Sequence, residues 1–319
     1  MEFSLIDRIR ELTAQTREDV RLGIGDDAAL LRVPDGQELV VAIDTLVEGV
    51  HFPLGTAAAD IGWKALAVNL SDMAAMGAAP AWALLALTLP NGEAAFVDDL
   101  AAGFAQLARQ YRLALVGGDT TRGPLALSVA VHGLLPSGHA LLRAGAQVGD
   151  AICVTGTLGD AAAGLELLRA GGGADAHAAY LVERLHRPTP RIDAGLALRG
   201  QAHACIDVSD GLLADLGHIC AASGVGARID ASLLPFSPAL LNVFGAHAAR
   251  EFALSGGDDY ELCFTVPVDR ATALQSNRVQ LGCAATVIGH VVEGSGVHAY
   301  DGDGRELALE RRGWDHFRA

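Results

Sequence analysis

The chain has 319 residues, of which 51% are hydrophobic and 19% charged, so it can form about two compact domains and is too apolar to be disordered. Its net charge of −15 argues against nucleic acid or an anionic membrane as a partner, because phosphate groups are bound by basic surfaces. Five scattered cysteines without a CxxC pair predict reduced core thiols, and no apolar run of about 18 residues predicts a membrane span. With its mixed-charge N-terminus, the chain is expected to be cytoplasmic.

Hydrophobic periodicity predicts alternating helices and strands in the first half of the chain. The predicted helices cover 5–14, 60–76 and 96–109, and the predicted strands cover 39–43, 113–116 and 127–135. The first of these strands is expected to end on Asp44, and the second to lead into a glycine turn, GGDTTRG. Carboxylates that follow strand ends and glycine turns can converge in space.

The segment SGHALLRAGAQVGD breaks this pattern, and we predict the domain junction there, between domains 1–138 and 139–319. Beyond it we predict a strand over 151–155 and a helix over 161–169. The segment ACIDVSDGLLADLGHIC then reads as a strand turning into a helix, and SGGDDYELCFTV as a glycine turn that leads into a strand. This alternation predicts two α/β domains of similar size.

Aspartates recur at the edges of apolar elements rather than on charged faces. They are Asp26 and Asp27 in GIGDDAALL, Asp44 after VVAI, Asp72 in NLSDMAAMG, Asp119 after LVGG, and Asp207 and Asp210 on either side of VS. Adjacent carboxylates that are shielded from water repel each other unless one takes up a proton, reaches solvent or shares a cation. An all-carboxylate set without clustered histidine or cysteine suits Mg²⁺, which can bridge the phosphates of a nucleotide.

Lys64 is the only lysine of the chain, and its context, DIGWKALAVNL, fits neither a P-loop nor a protein kinase. Any bound phosphates must therefore be neutralised by metal ions and arginines. All of these aspartates except Asp207 also have a structural interpretation that the sequence leaves open. These are a solvated turn for Asp26 and Asp27, a turn cap for Asp44 and Asp119, a solvent-exposed helix face for Asp72, and a helix N-cap for Asp210.

Six segments form a recognisable set: GIGDDAALL, AIDTLVEGVHF, KALAVNLSDMAAMGAAP, LVGGDTTRGPL, IDVSDGLLADLGHI and LSGGDDYELCF. Together they resemble the thiamine-monophosphate kinases, of the superfamily of aminoimidazole ribonucleotide synthetase and selenophosphate synthetase. The resemblance runs nearly end to end, finishing at GWDHF. It implies two α/β domains of the aminoimidazole ribonucleotide synthetase-like architecture, with mixed sheets covered by helices and an active-site cleft between the domains.

The resemblance also implies an activity: ATP-dependent phosphorylation of thiamine monophosphate to thiamine diphosphate, the last step of thiamine diphosphate biosynthesis. It further implies several Mg²⁺ ions and a homodimer whose N-terminal domains associate. The acceptor would itself be an ionised phosphate, so in-line attack needs no strong general base, and catalysis reduces to alignment and charge neutralisation.

Carried over motif by motif, the resemblance implies metal ligands at Asp27, Ile43, Asp44, Asp72, Asp119, Asp207 and Asp210. Of these, Asp27, Asp72, Asp119 and Asp207 are the implied catalytic set. The implied ATP contacts are Gly118, Asp119, Arg143 and Ser209, and the thiamine phosphate contacts are His51, Asp258 and Trp314. Relatives often carry Ser-Thr at the positions of Ala42 and Ile43, so ligation there must use backbone carbonyls or Thr45, or is lost. They commonly carry Glu at the position of Asp258.

Structural alternatives remain for three of these residues: His51 as a core histidine, Trp314 as C-terminal packing and Arg143 as the partner of an acid at the domain junction. Three other functions also remain open. A different ATP-dependent synthetase of the superfamily is disfavoured because the first cysteine is Cys153, far from the N-terminus. A metal-dependent phosphohydrolase would use clustered aspartates as well, and a divalent-ion or nucleotide sensor would bind without turnover.

Overall fold

The computed structural model of the protein describes residues 2–173, 175–276, 278–308 and 313–314. The chain divides into two compact units. Unit 1 comprises Met1–Met73 and Ala78–Gly138, and unit 2 comprises Ala74–Gly77 and His139–Ala319. Within the described ranges, no helix is both long enough and apolar enough to cross a membrane.

Unit 1 is built on a four-stranded sheet with helices on one face. Its elements are α1 (Glu2–Thr13), β1 (Val20–Leu22), β2 (Leu30–Leu31), β3 (Gln37–Val47), α2 (Ala58–Ala75), β4 (Ala79–Leu89), α3 (Ala94–Gln110), β5 (Ala114–Arg122) and β6 (Ala126–Pro136). The strand order is β3-β6-β4-β5, in which only β4 and β5 pair in parallel. Leu66, Leu70 and Met73 of α2 are fully buried, as their helical spacing predicts.

Helix α2 packs closely against both α3 and the sheet because glycines remove side chains at the contacts. A Cβ on Gly62 of α2 would lie 2.0 Å from the carbonyl oxygen of Leu100 in α3. A Cβ on Gly133 of β6 would lie 2.5 Å from the sulfur of Met73. One face of the sheet is therefore covered by helix.

The opposite face of the sheet is covered only in part, by the β1–β2 pair. Val20 and Leu31 of this pair pack on Trp82 and Val116, and the Trp82 indole N–H donates to Asp19 Oδ1 at 3.1 Å. Further along this face the apolar side chains of β3 and β4 are exposed: Leu39, Val41, Ile43 and Leu84.

Two strands of unit 1 extend beyond their predicted ends, so the prediction that Asp44 and Asp119 follow strand ends is wrong. Strand β3 runs past Asp44 to Val47 because all eleven of its residues pair with β6. Strand β5 continues through GGDTTR because parallel pairing with β4 extends to Arg122. Gly118 permits this pairing, since a Cβ there would lie 1.9 Å from the carbonyl oxygen of Leu85. The predicted helices of this unit are confirmed to within a few residues.

Unit 2 contains a six-stranded mixed sheet with helices packed around it. Its elements are β7 (Ala151–Thr155), α4 (Asp160–Arg169), α5 (Ala176–His186), α6 (Ile192–Leu198), β8 (Ala204–Val208), α7 (Leu212–Ser223), β9 (Gly226–Asp230), a 3₁₀ turn (Ala231–Leu233), α8 (Pro238–Ser255), β10 (Glu261–Val266), α9 (Val268–Ser276), α10 (Arg278–Leu281), β11 (Ala285–Val292) and β12 (Gly296–Tyr300). The strand order is β12-β9-β11-β7-β10-β8, and only β12 and β9 pair in parallel.

The core of unit 2 joins β8 to α7, with Ile206, Val208, Leu212 and Leu216 in one buried cluster. The strand predicted over 151–155 and the strand-to-helix reading of ACIDVSDGLLADLGHIC are confirmed. All five cysteines are free thiols, four of them buried, as their scattered apolar positions predicted.

A buried ion-pair network supports the start of β10. The carboxylate of Glu261 accepts hydrogen bonds from Arg191 Nε at 2.6 Å, Arg184 Nη2 at 2.9 Å and Thr155 Oγ1 at 2.7 Å. Burial alone would raise the pKa of Glu261, but the two guanidinium groups outweigh it and hold the pKa below the usual value. Asp259 nearby has a pKa well above the usual value because it is fully buried.

Candidate functional site

The turn between β8 and α7 carries three of the predicted site residues of unit 2. Asp207 lies on β8 and is 6% exposed, while Ser209 and Asp210 form the turn itself. Gly211 is the N-cap of α7, so the interpretation of Asp210 as the helix N-cap is wrong. Gly211 has a φ of 124°, which favours glycine, and a Cβ there would lie 3.0 Å from the carbonyl of Ser255.

One buried carboxylate holds this turn from the inside. Asp215 Oδ2 accepts the backbone N–H groups of Ser209 at 3.0 Å, Asp210 at 3.1 Å and Gly211 at 3.0 Å. Burial, with a smaller contribution from the nearby carboxylates of Asp207 and Asp210, raises the pKa of Asp215 to about 7. The sequence prediction missed Asp215.

A signal for Asp215 is nevertheless present in the sequence. Leu212, Asp215, Leu216 and Ile219 stand at positions i, i+3, i+4 and i+7 of α7, which is the spacing of a buried helix face. An aspartate on that face must have hydrogen-bond donors. The closest donors along the chain are the unpaired N–H groups at the start of the same helix.

The carbonyl side of the turn holds the two predicted thiamine phosphate residues of unit 2. The Ser209 carbonyl accepts the N–H of Asp258 at 2.8 Å, and the Asp210 carbonyl accepts the N–H of Trp314 at 2.9 Å. Asp258 has a φ of 69°, and its Oδ1 accepts the Tyr260 hydroxyl at 2.9 Å. The Trp314 side chain is 53% exposed. The structure thus brings all the predicted site residues of unit 2 except Arg143 to one turn.

Arg143 is not brought to this turn within the described part of unit 2. Leu142, its neighbour, accepts the N–H of Cys205 at 2.8 Å, which places this segment at the start of β8. Ser209 follows Cys205 by four residues, or roughly 13 Å of strand. The Arg143 side chain is exposed, and its carbonyl accepts the Ser223 hydroxyl at 3.4 Å.

In unit 1, Asp44 and Asp72 lie where α2 meets β3. The N–H of Asp44 donates to Asn69 Oδ1 at 3.1 Å, and burial raises the pKa of the Asp44 carboxyl. Asp72 follows Asn69 by three residues and lies on the same face of α2. Ile43 is 66% exposed on the other face of the sheet. Because the Asp44 N–H points away from β6, the main-chain groups of Ile43 point toward β6, where they pair with Ala130.

Gly118 and Asp119 lie on β5, at the opposite edge of the same sheet. Strands β6 and β4 separate β5 from β3, so three strand spacings, or about 14 Å, lie between the strands that carry Asp119 and Asp44. Asp119 is exposed, and Asp44 is half-buried on the helix side. Unit 1 of a single chain does not bring these two predicted ligands to one cation.

Asp27 and Gly118, by contrast, line one cavity of about 860 Å³ on the partly covered face of the sheet, together with Arg10, Asp26 and His132. Both aspartates are exposed, and the N–H of Asp27 donates to Asp26 Oδ1 at 2.9 Å. Burial lowers the pKa of His132, which favours its neutral form. The carboxylates of the GIGDD segment therefore face a space large enough for a small ligand.

The single lysine of the chain has a structural contact in unit 1. Lys64 is 2% exposed, and its Nζ donates to the carbonyl of His51 at 3.0 Å. His51 Nδ1 in turn accepts the N–H of Val47 at 3.0 Å. A neutral imidazole held in this way carries its proton on Nε2, which leaves that atom as a donor.

The donors on the β8–α7 turn fit a hard divalent cation. Asp207 and Asp210 supply oxygen atoms, the ligand type of Mg²⁺, and both act on the pKa of the same neighbouring carboxyl. No group of three or more His, Cys, Asp or Glu side chains is positioned to hold a metal ion in the described ranges. Mg²⁺ commonly takes one or two carboxylates and completes its shell with water and substrate phosphates, so a pair of acids suffices.

Comparison with known proteins places both halves of the chain in one family. Residues 25–135 match the N-terminal domain of AIR synthase related proteins, and residues 147–302 match the C-terminal domain. Thiamine-monophosphate kinase of Escherichia coli (strain K12) is 50% identical over 318 residues, covering 99% of this chain and 98% of that protein. The Bacillus subtilis (strain 168) enzyme of the same name is 37% identical over 326 residues, covering 99% of each.

Solved structures agree with this assignment. Thiamine-monophosphate kinase from Stenotrophomonas maltophilia K279a has a TM-score of 0.89 at 54% identity, covering 96% of this chain and 98% of that one. AaThiL complexed with AMPPCP and TMP has a TM-score of 0.80 at 35% identity, covering 99% and 97%. The predicted architecture of two AIR synthase-like α/β domains is confirmed. The chain therefore belongs to the thiamine-monophosphate kinases, within the AIR synthase related proteins.

Proposed function

We propose that this chain transfers the γ-phosphoryl group of ATP directly to the phosphate of thiamine monophosphate, by in-line displacement with several Mg²⁺ ions. The observation that carries the proposal is the β8–α7 turn. There the predicted cation ligands Asp207 and Asp210 and the predicted nucleotide contact Ser209 stand on one segment. Its carbonyl groups accept the backbone N–H groups of the predicted thiamine phosphate contacts Asp258 and Trp314. The complex of AaThiL with AMPPCP and TMP supports the same pair of ligands for this chain.

The residues on the turn can align two anions for the reaction. The Ser209 hydroxyl can donate to a nucleotide phosphate, and the exposed indole of Trp314 offers an aromatic face to a thiazolium or pyrimidine ring. Because the acceptor is an ionised phosphate oxygen, no side chain has to remove a proton. Alignment of the two phosphates and neutralisation of their charge then provide the rate acceleration. Bound Mg²⁺ would offset the electrostatic repulsion between the phosphates and the carboxylates of Asp207 and Asp210.

We further propose that Asp27, Asp44, Asp72 and Asp119 of unit 1 act on the same nucleotide and its Mg²⁺ ions, with Gly118 and Arg143 at the nucleotide and His51 at the substrate. Asp44 and Asp119 lie on opposite edges of one sheet, so a shared site requires that the ligand, its metal ions or a second chain bridge them. The exposed side chains of Leu39, Val41, Ile43 and Leu84 support a homodimer formed through this sheet face, because a continuous apolar surface is characteristic of an interface. We place the enzyme in the cytoplasm, which suits its free thiols.

Product identification tests the proposal. The purified chain is incubated with Mg-ATP and either thiamine or thiamine monophosphate, and ADP, inorganic phosphate and thiamine diphosphate are quantified. We expect ADP and thiamine diphosphate in equal amounts, with thiamine monophosphate only. Inorganic phosphate without thiamine diphosphate would identify a phosphohydrolase, and binding without turnover would identify a sensor.

A further inference from the structure

The β8–α7 turn has two sides, and each side is used differently. Its N–H groups, from Ser209, Asp210 and Gly211, all point to the Asp215 carboxylate. The carbonyl groups of Ser209 and Asp210 point the other way and accept the N–H groups of Asp258 and Trp314. The Asp215 side chain therefore fixes the turn to which the predicted substrate residues Asp258 and Trp314 are hydrogen-bonded.

Successive N–H groups that converge in this way form a concave site that binds anions in many proteins. Here the chain's own carboxylate occupies that position, since Asp215 is 3% exposed and its Oδ2 lies 3.0–3.1 Å from all three nitrogen atoms. A phosphate group cannot bind the same N–H groups while Asp215 holds them. Side chains on the outer face of the turn are then the groups left to meet a phosphate.

We infer that Asp215 is a positioning residue for the phosphoryl transfer: it holds the turn so that Ser209, Asp210, Asp258 and Trp314 face their ligands together. This inference rests on the proposed function for its kinetic consequence, and on the hydrogen bonds of the turn for its structural one. Asp215 itself touches neither substrate. Its loss should impair the nucleotide site and the thiamine phosphate site at the same time.

Asp150 provides a matched control because it is another buried carboxylate of unit 2 that caps backbone. It is 4% exposed and accepts the N–H of Gln147 at 2.9 Å and the ring Nδ1 of His203 at 2.9 Å. His203 precedes β8, so Asp150 lies at the end of the sheet away from the turn. Asp150→Asn tests the general cost of neutralising a buried aspartate in this unit.

The kinetic test compares Asp215→Asn and Asp215→Ala with the parent and with Asp150→Asn, at a temperature where each is folded by circular dichroism. Because a misplacement of about 1 Å costs roughly 100-fold in rate, we expect kcat to fall about 100-fold in Asp215→Ala and less in Asp215→Asn, which keeps an acceptor oxygen. KM should rise for both Mg-ATP and thiamine monophosphate. Asp150→Asn should leave kcat and both KM values near those of the parent.

A double-mutant cycle with Ser209→Ala separates positioning from general destabilisation. If Ser209 acts only while Asp215 holds the turn, its removal should cost much less in the Asp215→Asn background than in the parent. Additive losses would overturn the inference. This comparison uses the milder variant, so it stands even if Asp215→Ala does not fold.

A readout without turnover keeps this inference distinct from the proposed function. Trp314 is the exposed tryptophan, while Trp63 and Trp82 are 9% and 1% exposed, so acrylamide quenching of the fluorescence reports on Trp314. We expect greater quenching, and faster hydrogen exchange at the amides of 209–211, in Asp215→Asn but not in Asp150→Asn. Unchanged quenching and exchange would overturn the role of Asp215. Failure of the parent to form thiamine diphosphate would overturn the proposed function alone.

Discussion

The two units present their acidic residues in opposite ways. In unit 2, Asp207 and Asp210 flank a short turn that Asp215 holds by three hydrogen bonds. In unit 1, Asp44 and Asp119 stand on strands at opposite edges of a sheet. Under the proposed function, unit 2 is organised for its ligand before binding, whereas the acids of unit 1 need a ligand or a partner chain to form one site.

The largest expected effect is the loss of a charge from the organised turn. Asp207→Asn should lower kcat about 1000-fold, because preorganised electrostatic groups contribute 100- to 1000-fold or more to the stabilisation of a transition state. Steady-state kinetics at saturating Mg-ATP measure this effect. Asp269→Asn, an exposed acid of α9, is the control, and an Asp207→Asn enzyme within tenfold of the parent would contradict the role of Asp207.

Glu261→Gln tests the rigidity of the framework behind the turn. The variant removes the charge that Arg184 and Arg191 share in a buried ion pair, so we expect the free energy of unfolding to fall by about 3 kcal/mol at neutral pH. The pKa of Glu261 is lowered by folding, so its stabilisation is present above the usual glutamate pKa and disappears as the pH falls through the depressed value. Urea unfolding of the parent and of Glu261→Gln, measured from pH 7 down to pH 3, should show the difference between their free energies of unfolding becoming smaller.

If the difference in free energy of unfolding between the parent and Glu261→Gln grows as the pH falls, Glu261 does not carry the stabilising charge assigned to it. Thr155→Val removes a neutral donor to the same carboxylate and also the acceptor of the Leu262 N–H at 2.8 Å, so it should cost about 2 kcal/mol. This variant controls for the loss of neutral hydrogen bonds beside Glu261, and its cost should not become smaller between pH 7 and pH 3.

Asp119→Asn addresses the exposed acids of unit 1. We expect kcat at moderate Mg²⁺ to fall about 100-fold with unchanged thermal stability, since the carboxylate is exposed and supports no packing. Because the unit 1 acids are not held in one site, added Mg²⁺ should recover part of the loss, whereas it should not rescue Asp207→Asn. Measuring kcat of both variants against Mg²⁺ concentration tests this contrast. Equal recovery of kcat in the two variants would contradict the view that only the acids of unit 2 are held in place before ligand binding.

The smallest effect is expected from Asp259→Asn. Full burial raises the pKa of Asp259 well above the usual value, which favours the protonated carboxyl. An amide of the same shape keeps an acceptor for the N–H of Gly159, so we expect the free energy of unfolding to change by less than about 1 kcal/mol. Chemical denaturation measures it beside Glu261→Gln. A cost as large as that of Glu261→Gln would show that Asp259 is ionised in the fold.

The parts of the site that depend on local structure could be predicted from the sequence. Asp207, Ser209 and Asp210 belong to one strand–turn–helix segment, whose apolar periodicity and glycine define it within about fifteen residues. Trp314 was placed by resemblance to the family, and the structure sets its N–H against the carbonyl of Asp210. Of the segment GWDHF, residues 313–314 are described, and 315–319 lie outside the described residues.

The parts that depend on pairing between distant segments could not be predicted. The ends of β3 and β5 are set by β6 and β4, so no local signal shows that the strands continue through Asp44 and Asp119. Asp215 was missed for another reason: candidate acids were sought at the edges of apolar elements, whereas the spacing of Asp215 places it on the buried face of a helix. The period of a helix therefore carries more information about a buried acid than the residue type does.

The stereochemical course at phosphorus tests the central claim most directly. The claim is that the chain only aligns the phosphates of ATP and thiamine monophosphate, so that one displacement transfers the group. ATP made chiral at the γ-phosphorus with oxygen isotopes is converted with thiamine monophosphate, and the configuration of the terminal phosphate of thiamine diphosphate is determined. The account predicts inversion, and retention would contradict it by requiring a phosphorylated residue between two displacements.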